Sequence, residues 1–369
     1  MSREIEIKTE RLVEALQREK LGGVLINAQH NFAWITAGAA NGVDLSRENG
    51  VANIFVRNDG KRFLLANNIE MPRLLSEEVS GGDFEPVEYS WQLEKSTDAA
   101  LDIASSLSGG KIVGDAAVAG VRSFESGIAG CRHSLVDEEI ERFRELGRDA
   151  GIAMRNVFDH VSPGCTETEI AAKLRSQLAK FDIQSVVILV AADERIAKFR
   201  HPVPTSKTLK ETVLLVTCAK RNGLIASVSR IATFGDPSAE LIEKTEATAL
   251  VNASLMAATR ASVSGSELYA VAADAYALRG FGDEVNKHHQ GGAAGYKTRE
   301  WVAHPKSKDV VVEHQAFAWN PSITGTKVED TVLISGDGAE ILTASPDFPV
   351  IANTIDGREY RSTGILSKH

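Results

Sequence analysis

Three short stretches of the sequence hold side chains that move protons or grip anions near neutral pH. The first is Arg200-His201-Pro202-Val203-Pro204-Thr205, between two strand-like runs. Its prolines fix an extended backbone, a way to present one imidazole to a cleft. A solvated loop histidine is the plainer reading of the same letters. The second stretch, Lys287 to Trp301, reads KHHQGGAAGYKTREW and gathers His288, His289, Tyr296, Arg299 and Glu300 among three glycines. Imidazole titrates near neutrality, guanidinium offers a planar fork to a carboxylate, and glycine lets backbone and ligand approach closely. Its plainer reading is a glycine-rich turn with solvated polar groups. The third stretch is KVEDTVLI, Lys327 to Ile334, where Glu329 precedes an apolar run. Glu329 either faces solvent at a sheet edge or enters the core. A buried carboxylate needs a partner, a metal or a raised pKa, and the last is how an acid–base catalyst is made.

Elements that could position these groups follow from periodicity. Ile5, Leu12, Leu16 and Leu21 form a helical stripe, and GVLIN (Gly23 to Asn27) reads as a buried strand. VANIFV (Val51 to Val56) reads as another, followed by an Asn58-Asp59-Gly60 hairpin turn. A helix opens at Asp137 and ends at Pro163-Gly164. Thr166 and Glu169 make a Thr-x-x-Glu capping box for the next helix. Strands are predicted at 186–191, 213–218 and 224–233, helices at 238–260 and 265–280, and a strand-rich end after them. The composition break near residue 134 predicts two domains, 1–134 and 135–369.

Composition removes several function classes. The net charge is -9 and no Lys/Arg-rich run is present, which excludes a nucleic-acid partner. The longest apolar runs are of strand length, which predicts no membrane partner. The three cysteines, Cys131, Cys165 and Cys218, are far apart and odd in number. They form neither a disulfide framework nor a Cys-x-x-Cys zinc site. The charged start MSREIEIK lacks a secretory apolar core, so the expected setting is cytoplasmic.

Taken together, these segments resemble the creatinase, prolidase and aminopeptidase P superfamily. NFAWITAG (Asn31 to Gly38) is similar to its amino-terminal "N-x-x-Y-x-T-G" element, and PGCTETEIAAKL to the first capped helix of its pita-bread domain. GTKVEDTVLISGDGAEILT is similar to its closing segment. The resemblance implies an α+β protein with an amino-terminal α/β creatinase/prolidase-like domain. A carboxy-terminal pita-bread domain with a curved, mostly antiparallel sheet would follow. It also implies a homodimer with a shared active site.

The superfamily's metallopeptidases hold two metals with two aspartates, a histidine and two glutamates. The resemblance puts Val216, Ser227 and Asn320 in three of the acid positions, with His289 (or His288, one residue away) and Glu329 at the others and Arg230 retained. One imidazole and one carboxylate cannot hold a dinuclear hard-cation site. The expectation is therefore no metal and no cofactor. Creatinase itself works without metal. By that likeness His201 is the acid–base group, with Glu329 and His289 beside it. Arg299 binds a substrate carboxylate, with Glu300, Arg200, His288, Tyr296 and Arg230 as further substrate contacts. Creatinase has a glutamate near the position of Ser227, so creatine itself does not fit. The leading reading is a metal-independent hydrolase or lyase cleaving a C–N type bond in a small carboxylate-bearing molecule. A non-catalytic binding module is the alternative, and a residual metal-dependent aminopeptidase or prolidase the third.

Overall fold

The computed structural model describes residues 2–79, 82–336 and 338–369. The chain divides into two compact units, Met1–Glu138 and Glu139–His369. In the first, helix α1 (Arg3–Arg18) buries Ile5, Leu12 and Leu16, the stripe its periodicity marks. Strand β1 (Gly23–Ala28) is buried along its whole length and leads directly into helix α2 (Gln29–Ile35). Strands β2 (Asn49–Arg57) and β3 (Arg62–Asn67) form an antiparallel hairpin. Its turn closes on Gly60 at φ +86°, a conformation open to glycine at little cost. A short helix α3 (Met71–Arg73) and strand β4 (Glu85–Tyr89) come next. Helix α4 (Ala99–Leu107), strand β5 (Ile112–Gly114) and helix α5 (Glu125–Arg132) complete the unit. The mixed sheet runs β4-β3-β2-β1-β5.

The second unit begins within helix α6 (Asp137–Val157) and continues with helix α7 (Glu167–Ala179). Thr166 and Glu169 cap α7 reciprocally, each side chain meeting the other's backbone N–H. Strands β6 (Gln184–Ala192), β7 (Thr212–Arg221) and β8 (Leu224–Phe234) form an antiparallel ladder, with the one-turn helix α8 (Arg195–Lys198) after β6. Almost every residue of β7 and β8 is buried, so both faces of these strands are covered.

Helices α9 (Ala239–Ala258) and α10 (Gly265–Leu278) follow. Val251, Leu255, Leu268 and Tyr276 from them share a core with Phe317, Trp319 and Val332 of the next sheet. That sheet contains β9 (Gly291–Ala294), β10 (Trp301–Val302) and β11 (Ala316–Trp319). A tight hairpin, β12 (Ser322–Ile323) and β13 (Thr326–Lys327), precedes β14 (Asp330–Ser335) and β15 (Gly338–Ile341). The order β10-β9-β11-β14-β15 is antiparallel throughout. A further hairpin, β16 (Val350–Ile355) and β17 (Arg358–Thr363), leads to β18 (Leu366–Lys368), which joins β8 in parallel.

Two features fix the backbone of the third and second sequence stretches. The Ser229 N–H donates to the Glu329 carbonyl at 3.2 Å, an isolated bridge between the two sheets. Gly291 stands at φ +107°, and a Cβ there would meet the Ala318 carbonyl at 2.1 Å. Only glycine fits where the chain leaves the histidine pair and enters β9. No helix among the described residues is long and apolar enough to cross a membrane.

Candidate active site

Glu329 is 2% exposed, and its surroundings explain how a carboxylate survives there. Lys327 Nζ lies 2.7 Å from Oε2, and Arg299 Nη2 lies 3.1 Å from Oε1. The Ser229 hydroxyl donates to Oε2. Burial alone would raise the pKa of Glu329. The Lys327 charge, then Arg299 and the hydrogen bonds from Lys327 and Ser229, overcome it and push the group down to about 2. Two cations on one anion leave the group at net +1, a field that attracts anions.

Arg299 is fixed by more than that ion pair. Its Nη1 donates to the Thr298 carbonyl at 2.6 Å and to Ser227 Oγ at 3.2 Å. Its Nε is buried without a hydrogen-bond partner among the described residues, a donor that costs free energy until something accepts from it. Ser227 in turn lies 3.4 Å from Cys218 Sγ. Burial raises the Cys218 pKa, which keeps this thiol protonated and a poor nucleophile.

Three imidazoles gather at a second focus. His201 Nε2 lies 3.1 Å from His288 Nε2, and the His288 and His289 rings stack at 4.4 Å between centroids. Burial lowers the pKa of all three, and the positive charges of Lys327 and Arg299 add to it for His201 and His289. His289 is pushed down to about 4. His288 is pushed to about 3, by burial first, then by His289 and Lys327. Glu329 acts in the opposite sense on each of them, which places the two foci within electrostatic reach. At neutral pH these rings are therefore uncharged, able to accept a proton.

That arrangement has a consequence for stability. Unfolded, His288 and His289 take up protons near the ordinary imidazole pKa of about 6.5; folded, they do so only near about 3 and about 4 respectively. Between those limits the unfolded state binds more protons, so stability declines as pH falls below about 6.5. The thermal midpoint should drop across this window, less steeply in a His288→Ala/His289→Ala protein. An equal slope in both proteins would remove the histidines as its cause.

His201, His288, His289, Arg299 and Glu329 thus belong to one electrostatic neighbourhood. The remaining residues read from the sequence as substrate contacts are engaged elsewhere. Arg200 is held by Glu284 and by Thr324 Oγ1, the latter at 3.0 Å, and so anchors the His201 loop. The Tyr296 hydroxyl donates to Glu139 at 2.7 Å, and Glu300 accepts from the Tyr296 N–H at 3.2 Å. Arg230 is fully buried against Asp330 at 2.7 Å and donates also to the Ser229 and Glu329 carbonyls. Internal acceptors thus already engage Arg200, Tyr296 and Arg230, which the sequence offers as substrate contacts.

Sequence reasoning missed Lys327 and Ser229. A signal for the first existed: residues two apart in an extended segment share a face, so a buried Glu329 brings Lys327 with it. Ser229 needed the pairing of β8 with the Glu329 segment, which no local pattern encodes.

The donor set does not fit the dinuclear site of the metallopeptidases. Val216 is an apolar side chain paired across the ladder with Ser229, and Ser227 faces Cys218 in the same register. Glu329, the carboxylate that the sequence resemblance leaves at those positions, is already shared by an ammonium and a guanidinium. A divalent ion would have to displace Lys327 or bear its charge at close range.

Metallopeptidase family M24 matches residues 141–336, more than half of the chain. The uncharacterized peptidase YqhT of Bacillus subtilis is 26% identical over 221 residues, covering 57% of this chain and 62% of that protein. The match therefore spans less than two thirds of the curated relative. Among solved structures, the Xaa-Pro dipeptidase from Bacillus anthracis superposes with a TM-score of 0.72 at 17% identity, covering 98% of this chain and 99% of that one. The prolidase from Pyrococcus horikoshii OT3 gives 0.76 at 19%, covering 92% and 98%. The α+β pita-bread fold is shared with these proteins.

Proposed function

We propose, for a chain that belongs to metallopeptidase family M24, a metal-independent hydrolase that cleaves a C–N type bond in a small carboxylate-bearing substrate. The observation that carries this reading is the Glu329 carboxylate paired to Lys327 and Arg299, beside imidazoles held neutral. Neutral His201 takes a proton from water as the water attacks the substrate carbon. It returns that proton to the departing nitrogen. His289 borders the same proton path. Arg299 turns its unused Nε donor to the substrate carboxylate. Lys327 supplies positive charge where oxyanion character develops, and Glu329 holds both cations in place. The protein would act as a homodimer in the cytoplasm, with the partner subunit closing the site.

Screening small amino, guanidino and imino acids and Xaa-Pro dipeptides for amine release tests the substrate class. With the substrate found, Arg299→Ala should raise KM by roughly 10–100-fold, the loss of a charge-assisted hydrogen bond, with a smaller change in kcat. An unchanged KM would separate Arg299 from the carboxylate. If no member of the set is turned over, a non-catalytic binding module becomes the better reading.

A further inference from the structure

We propose that His201, His288 and His289 form a binding site for one zinc ion, with an all-imidazole ligand set unlike the carboxylate-bridged set of the family's metal pair. One ligand atom from each of the three imidazoles lies within 4.8 Å of the other two. Zinc–nitrogen bonds of about 2.0–2.1 Å in tetrahedral geometry set ligand nitrogens about 3.4 Å apart. The His201 and His288 Nε2 atoms already stand 3.1 Å apart. Closing the third therefore takes a shift of little more than an ångström, available to loop side chains.

The backbone supports the cluster from two sides. The His201 loop is pinned where Pro202 accepts from the Val190 N–H at 3.0 Å, and Arg200 is held by Glu284 and Thr324. His288 and His289 follow a 3₁₀ turn, Gly282–Asn286, and precede the rigid Gly291 entry into β9. His288 is half-buried, and its Nδ1 lacks a hydrogen-bond partner among the described residues. His201 and His289 are exposed, leaving room for water as a fourth ligand. Three imidazoles without a carboxylate favour zinc over magnesium, calcium or manganese. The nearby Lys327 and Arg299 charges weaken the site relative to a structural zinc centre.

Zinc bound there would take the lone pair His201 needs as a base, so the ion blocks the chemistry rather than serving it. That last step rests on the proposed function; the binding does not. The experiment is calorimetric titration of zinc into the chelator-treated, desalted full-length protein without substrate, with cobalt as a visible-absorption probe. One equivalent should bind, with the intense visible band of tetrahedral cobalt. Affinity should fall at least about tenfold in His288→Ala and in His289→Gln, since each removes one of three ligands. Circular dichroism checks that both variants fold, and each variant supports the other if one does not. Absence of stoichiometric zinc, or binding unchanged in both variants, overturns the site. A zinc-binding protein without hydrolase activity overturns only the proposed function.

Discussion

Glu329→Gln is expected to destabilise the protein by about 3–5 kcal/mol, the range for breaking a buried ion pair from one side. The amide keeps the shape and can still accept from Ser229, so packing changes little. What disappears is the one carboxylate paired, among the described residues, with Lys327, itself 7% exposed, and with Arg299, both within 3.1 Å of it. A buried ammonium and a half-buried guanidinium then face each other without the carboxylate between them. Urea unfolding at neutral pH reads the effect. Adding Lys327→Met should recover much of the loss, because it removes the more deeply buried of the two stranded charges. A single variant within about 1 kcal/mol of the parent would mean that solvent or another anion neutralises the lysine. The native pair also shapes acid behaviour. Glu329 titrates near about 2 when folded against about 4.3 unfolded, so its stabilisation is complete above that higher value and lost as pH falls through the lower one.

His201→Ala should reduce kcat by roughly 10²–10⁴-fold, the scale of lost general acid–base help, with little change in KM. His201 is exposed, so the variant should fold with near-parental stability. Burial and the Lys327 charge lower the His201 pKa, which places the acidic limb of the native pH–rate profile below the ordinary imidazole value of about 6.5. The variant should lack that limb. A fully active His201→Ala protein would transfer the case to the binding-module reading.

How much of this was legible beforehand depended on the range of the interaction. Local signals read well: the Thr166–Glu169 capping box, the Gly60 turn and the buried run of β1 each declare themselves within a few residues. Family likeness carried the gross architecture and singled out His201, the histidine pair, Arg299 and Glu329. It did not reveal that Glu329 is locked between two cations, because Arg299 reaches it from 30 residues away and Ser229 from 100. The likeness also gave no hint of the internal partner of Arg230. An arginine kept in a family motif reads as a ligand contact until Asp330 is found 2.7 Å from it. The partners of Arg200 and Tyr296, Glu284 and Glu139, were hidden for the same reason, being distant in sequence. Nothing local distinguishes a side chain aimed at a substrate from one aimed at its own fold.

The most direct measurement is turnover by protein stripped with a strong chelator, with metal content determined on the same sample. The proposed mechanism requires the rate on the screened substrate to be no lower than that of untreated protein at well below one equivalent of manganese, cobalt or zinc per chain. Loss of activity on stripping, restored by manganese or cobalt, would contradict it and return the site to the metal chemistry of its family.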